Sequence, residues 1–303
     1  MVNPRPVLPD LEYIHPETAN EAAIFLKSHP HDARPFLGGT DCFNGIRDRK
    51  ISAKYLVDLK DLDGFDVLAF DKKKGLTIGA AVGMNRLIAS EDVQRIYPLI
   101  VEAAREVGSY QLRTRATLAG NLCNASPCGD TIAPCLLYEG TAQIIGSGGQ
   151  RTIPLADFFQ GPGKTVLTAG EIVSAIHLPL PPLGAQSAYR SIGRNALGDL
   201  AIAASAVLGF PDRSAHSSYR FRIALAAVAP TVIFVPMAQE LLAAGPIDEE
   251  MLEKAAAIAG EACKPISDIR ASADYRRDMV ITLTRTALET VWGALNRKSK
   301  NGA

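Results

Sequence analysis

Gly38-Gly39-Thr40-Asp41 and Thr117-Leu118-Ala119-Gly120-Asn121 are the two stretches on which the reading of this 303-residue chain turns. Both place small or hydroxyl-bearing residues where a backbone must come close to something. Glycine lacks a Cβ and reaches positive φ cheaply, so successive amides in a Gly-Gly turn can converge on an anion, with a threonine hydroxyl and an asparagine amide as further donors. The first stretch follows an apolar run ending at Leu37, read as a strand, and the second is read as another glycine-bearing loop. Either alone reads equally well as a tight turn. Together they read as halves of one cradle, suited to a nucleotide pyrophosphate.

Outward from the first stretch, Thr18 with Glu21 three residues on fits a capping box and predicts a helix near 18–28. Strands near 34–37 and 54–59 complete a small βαβ-like unit with the Gly-Gly loop at a strand's C-terminal end, where open α/β sheets bind ligands. The pattern changes near Gly64. Runs at 65–70 and 76–81 around Asp71-Lys72-Lys73-Lys74-Gly75 read as a hairpin with solvated lysines. Helical segments from about Met84 to Val107 lead to the second stretch, and a short helix near 131–138 follows, its N-terminus able to face an anion. A hairpin at Ser147-Gly148-Gly149, strands at 172–178 and 188–192 around a proline-rich joint, a strand near 222–228 and helices near 248–262 and 273–297 complete the chain. The predicted division is 1–63, 64–181 and 182–303.

Lysine plus arginine and aspartate plus glutamate number 32 each, and 47% of residues are hydrophobic. A chain of this size can bury real cores. With no net field and no basic run, nucleic acid and anionic membrane are not expected as partners. Residues 1–10 carry no basic-then-apolar leader pattern, and no apolar stretch reaches the roughly 18 residues of a membrane span, so a cytoplasmic location is expected. Five cysteines in so long a chain suit reduced thiols rather than a disulfide framework.

The sequence has no Gly-x-Gly-x-x-Gly, so a dinucleotide must be held in another way than by a Rossmann fingerprint. Gly161-Pro162-Gly163-Lys164-Thr165 imitates the end of a Walker A loop, but Phe158 stands where its first glycine belongs, and a surface turn is the reading. Cys123, Cys128 and Cys135 start like a ferredoxin set, yet Thr131 occupies the next ligand position, and they read as ordinary thiols. Cys263 reads as helix packing. The histidines, His15, His29, His31, His177 and His216, lack metal-ligand spacing, and no metal site is expected. No serine, cysteine or carboxylate constellation suggests a catalytic nucleophile or base.

The two stretches, their separation and the continuation from Leu122 to Pro134, which includes Asn124-Ala125-Ser126-Pro127-Cys128-Gly129-Asp130, resemble the FAD-binding (medium) subunit of the molybdenum hydroxylases. That family includes the medium subunit of bacterial carbon monoxide dehydrogenase and the flavin domain of xanthine dehydrogenase. Tyr189-Arg190, Arg194 and Asp199-Leu200-Ala201 resemble its next block, and residues 224–231, 266–270 and 275–276 its C-terminal domain. The fold implied is α+β: a two-subdomain FAD-binding fold of the PCMH/vanillyl-alcohol-oxidase type, followed by a C-terminal α+β domain of the CO dehydrogenase flavoprotein type.

By the same resemblance noncovalent FAD is held by Pro35, Phe36, Leu37, Gly38, Gly39, Thr40, Asp41 and Cys42, by Thr117, Leu118, Ala119, Gly120 and Asn121, and by Val107, Asp130, Val173 and Arg190. Asp130 would accept hydroxyl donors of the cofactor, or cap the helix ahead, or both. Tyr189 would shield the flavin, and Arg190 would lie at its isoalloxazine end. Asp41 would turn its carboxylate away from the pyrophosphate. Ala119 stands where the family has glycine, which requires a negative φ there. The implied partners are a small iron–sulfur subunit with two 2Fe-2S clusters and a large molybdopterin subunit, in a dimer of heterotrimers. Electrons from the clusters would pass through FAD to NAD, oxygen or a quinone-linked acceptor. A self-contained flavin oxidase or reductase of the vanillyl-alcohol-oxidase type and a non-redox nucleotide-binding scaffold are the alternatives.

Overall fold

The computed structural model describes residues 8–195 and 198–301, and residues 1–7 of the proline-rich N-terminus lie outside the described residues. Its first part is a parallel three-stranded sheet in the order Glu12–Ile14, Tyr55–Asp58, Ala33–Phe36. The helix Ala19–Ser28 joins the two outer strands. Thr18 Oγ1 accepts from the Glu21 amide at 3.1 Å, as the capping box requires, and the Glu21 carboxylate accepts from the Glu17 amide at 2.8 Å. Ala22, Ala23 and Leu26 fall on its buried face.

A five-stranded antiparallel sheet follows, ordered Leu68–Asp71, Gly75–Gly79, Ile172–Leu178, Thr141–Gly146, Gly149–Pro154. The lysines of the first hairpin are exposed, with Asp71 Oδ1 accepting from the Lys73 and Lys74 amides. Six helices stand between Gly79 and Thr141: Met84–Ala89, Glu91–Ile96, Pro98–Glu106, Tyr110–Arg113, Leu118–Asn124 and Ile132–Leu137. The pairing of Ile172–Leu178 with Thr141–Gly146 slips between Val173 and Ala175, a bulge of the kind that re-aims side chains.

The remaining chain forms a four-stranded antiparallel sheet, Gln186–Ile192, Ala203–Pro211, Tyr219–Ala226 and Ile233–Phe234. The helices Glu249–Ala262 and Ala273–Asn301 bury Ala255, Ala259, Val280, Ala287, Val291 and Leu295 in a core shared with Val207, Ile223 and Leu225 of the sheet. The opposite face, through Ala204, Ala206, Leu208 and Ala224, joins the core of the five-stranded sheet. A single apolar core thus runs from the first sheet to the inner face of the last.

Several elements depart from the sequence reading. Ala203–Pro211 is a central strand and Pro236–Ala244 a helix, neither of which the sequence reading singled out. More consequential is 117–121, read as a loop. Thr117 is the N-cap of the helix Leu118–Asn124, with Oγ1 accepting from the Gly120 amide at 3.0 Å, so this stretch is the first turn of a helix.

Candidate functional site

Phe36 closes its strand inside the core, and the chain then turns through Leu37, Gly38 and Gly39 into the helix Cys42–Arg47. Gly39 has φ +71°, and a side chain there would strike the ring of Phe36. Gly38 has a different reason to be glycine: a Cβ would collide with the carbonyl oxygen of Arg115 and lie 3.1 Å from Ala116 Cα. Those residues immediately precede Thr117. The structure therefore packs the first stretch against the backbone that leads into the second. No described residue accepts a hydrogen bond from the amides of Gly38, Gly39, Thr40 or Asp41, nor from those of Leu118 and Ala119 at the helix start. Both stretches thus offer amide donors without a protein acceptor, a set that could serve an anion.

The side chains sort accordingly. Leu118 and Ala119 point into the core, so only their backbones are available. Ala119 lies within the helix, which meets the requirement for a negative φ. Apart from its own helix backbone and chain neighbours, a Gly120 side chain would begin within 4 Å of Thr117 Oγ1 alone, at 2.9 Å. Asp41 makes no capping bond and is exposed, and Pro35 is exposed on its strand. Cys42 starts the helix after the loop, its thiol pushed up by burial. Val107 and Val173 are buried in the same core.

Thr131 Oγ1 donates to Asn121 Oδ1 at 2.7 Å, which ties the second stretch to the segment carrying Asp130. Thr131 holds the N-cap position of the helix Ile132–Leu137, so Asp130 is not that helix's cap. Instead Asp130 Oδ1 accepts from Tyr189 Oη at 2.9 Å, with both residues buried. Burial pushes the Asp130 carboxyl up to about 7; the Tyr189 hydroxyl pulls the other way, and the charge of Glu106 adds to the rise. Arg190, adjacent in sequence, donates to the Tyr189 carbonyl and to Thr290 Oγ1 and sits 3.7 Å from the Glu102 carboxylate. It is engaged with the C-terminal helix rather than free. A cavity at the end of the helix Pro98–Glu106 and beside the strand Gln186–Ile192 is lined by Glu106, Gly108, Asp130, Ser191, Gly193 and Asp199 among others.

Two groups escaped the sequence reading. Glu102 and Glu106 lie four apart on the helix Pro98–Glu106, and Glu102 Oε2 accepts from the Tyr189 amide at 2.8 Å. The signal was present as two carboxylates at i and i+4, with Arg105 the one other charged residue, in an apolar helix. Beside Phe36, Lys60 Nζ lies 2.7 Å from Asp58 Oδ1, 3.0 Å from Tyr13 Oη and 4.5 Å from the Phe36 ring centre. It could have been sought at the C-terminal end of the strand Tyr55–Asp58. All five cysteines are free thiols. Among the described residues no group of three or more histidine, cysteine or acidic side chains is arranged to hold a metal, and no helix is long and apolar enough to cross a membrane.

Residues 9–181 match the family model described as the FAD binding domain in molybdopterin dehydrogenase, and residues 166–291 the CO dehydrogenase flavoprotein C-terminal domain. The chain is 31% identical over 278 residues to the carbon monoxide dehydrogenase medium chain of Afipia carboxidovorans, covering 92% of this chain and 95% of that one. It is 28% identical to the putative xanthine dehydrogenase FAD-binding subunit of Escherichia coli K12, with 94% and 97% covered. In structure it is similar to a chain of carbon monoxide dehydrogenase from Hydrogenophaga pseudoflava, with a TM-score of 0.89 at 30% identity over 95% of this chain and 99% of that chain.

Proposed function

The chain belongs to the family of FAD-binding subunits of molybdopterin dehydrogenases, and on that premise we propose how its residues hold the cofactor and what the subunit passes on. It is the FAD-binding medium subunit of a molybdenum hydroxylase, an oxidoreductase component. The residues present fit a dinucleotide. Amides of residues 38–41, with those of Leu118 and Ala119, would hold the pyrophosphate, and Asp130 would accept a hydroxyl of the cofactor. Pro35, Phe36, Leu37 and Cys42 would shape the approach, and Gly120 and Asn121 would border it. Val107 and Val173 would exclude water as apolar walls, and Arg190, braced by Glu102, would carry positive charge to the flavin end. FAD supplies electron transfer in steps of one or two.

In this reading the subunit takes electrons from 2Fe-2S clusters of a small partner beside a large molybdopterin subunit and delivers them to NAD, oxygen or a quinone-linked acceptor, within a cytoplasmic dimer of heterotrimers. The chain divides at about Gly64 and near Pro181, into 1–63, 64–181 and 182–303. The contact of Gly38 with the Arg115 backbone carries the proposal, because it assembles one cradle from two distant stretches. Acid precipitation of the chain purified with its co-expressed neighbours tests it: free FAD at about one per chain supports noncovalent binding, whereas flavin retained in the pellet points to a covalent oxidase-type protein.

A further inference from the structure

We infer that Tyr189 is a positioning residue of the FAD site: its buried phenol fixes the Asp130 carboxylate in the orientation that receives the cofactor, and FAD retention therefore depends on that phenol. The inference rests on Asp130 belonging to the FAD site.

Tyr189 is held at two points. Its amide donates to Glu102 Oε2 at 2.8 Å and its hydroxyl to Asp130 Oδ1 at 2.9 Å, so the residue spans from the helix Pro98–Glu106 to the segment before the helix Ile132–Leu137. Among the described residues no other side chain bonds Asp130. A carboxylate has two oxygens and about four acceptor positions, so one bond from Tyr189 fixes the group while leaving acceptor capacity for a hydroxyl of the cofactor. Asp130 lines the cavity shared with Glu106 and Asp199, so it is open to an added group on that side.

The surroundings make the proton count. Glu106 faces the pair from its helix and raises both groups, Cys128 lies beside them on the same segment, and Asp199 across the cavity is neutralised by Arg194 at 2.9 Å. Arg270, Arg276 and Asp268 act on Cys128 from the C-terminal part. Burial holds Asp130 at about 7. FAD binding should accordingly strengthen as pH rises through neutrality, since the ionised carboxylate is the better acceptor.

The test is FAD titration of the deflavinated full-length chain by flavin fluorescence from pH 5.5 to 8.5, on the wild type, Tyr189→Phe and the isosteric Asp130→Asn. Tyr189→Phe keeps the ring and removes only the donor; its affinity at pH 8 should fall about tenfold or more and its inflection should move to higher pH. Asp130→Asn should give a flat profile. A phenol that merely fills space would leave the Tyr189→Phe profile superimposed on the wild type, and that result, or a wild-type profile without an inflection, overturns the inference. Failure of the wild type to take up FAD at any pH overturns the site assignment and the inference with it.

Discussion

Gly38 backs directly onto the carbonyl oxygen of Arg115, so any side chain at position 38 would occupy the space that this oxygen fills. Gly38→Ala should push the two stretches apart, costing about 1–3 kcal/mol of stability and most of the bound flavin. Gly83 is the control, because a Cβ there meets nothing nearer than 3.6 Å. Flavin per chain and the denaturant midpoint should fall for Gly38→Ala and hold for Gly83→Ala.

Thr117 contributes through its hydroxyl. Thr117→Val preserves shape but removes the acceptor for the Gly120 amide, at a cost of about 1 kcal/mol, and should loosen the first turn of the helix Leu118–Asn124. Thr117→Ser should restore the midpoint and the FAD affinity. A loss for the serine variant with none for the valine variant would place the effect in the methyl group instead.

In the flavin-free chain Asp130 also sets a pH dependence of stability. Its folded pKa, about 7, lies above the ordinary value of 3.8. The folded state thus binds the extra proton between those values, and stability declines as pH rises from about 4 to 7, by an amount on the order of a few kcal/mol. Asp130→Asn should remove that decline and leave the flavin-free chain more stable than wild type at pH 8 in denaturant titrations. The slope is opposite to that expected for FAD retention, because the burial that disfavours the carboxylate is what FAD would offset.

Arg276 is almost wholly buried and donates to the Ile202 and Ala227 carbonyls and to Asp268 Oδ1. Asp268 is held well below the usual carboxylate range by the Arg270 amide, Arg276 and the Ala271 amide. Arg276→Met would strand these acceptors and should cost roughly 3–5 kcal/mol. Arg277→Met, at an exposed i,i+3 pair with Asp274, should change the midpoint by less than about 0.5 kcal/mol.

What the sequence made legible was local. Thr18 and Glu21 announced their helix, and the Asp71–Gly75 turn its hairpin, because caps and turns are written in neighbouring residues. Thr117–Asn121 misled because Gly120 lowers helix propensity in the first turn, hiding a helix that the Thr117 cap and tertiary packing sustain. Ala203-Ala204-Ser205-Ala206 has the composition of a helix, yet it is a central strand. Small side chains let both neighbouring layers approach, and Ser205 Oγ accepts from Thr284 Oγ1 of the last helix at 2.9 Å. The partnership of Asp130 with Tyr189 spans 59 residues and has no local signature. Its effect is visible in the cap, since Asp130, turned toward Tyr189, leaves the N-cap position to Thr131.

The most direct measurement is amide hydrogen exchange of the full-length chain with and without FAD, read at residues 38–42 and 117–121. If one cradle is built from both stretches, FAD should slow exchange at Gly38, Gly39 and Thr40 and at Leu118 and Ala119 together, with the same dependence on FAD concentration. Protection confined to one stretch, or absent from both while FAD is bound, would contradict a shared site.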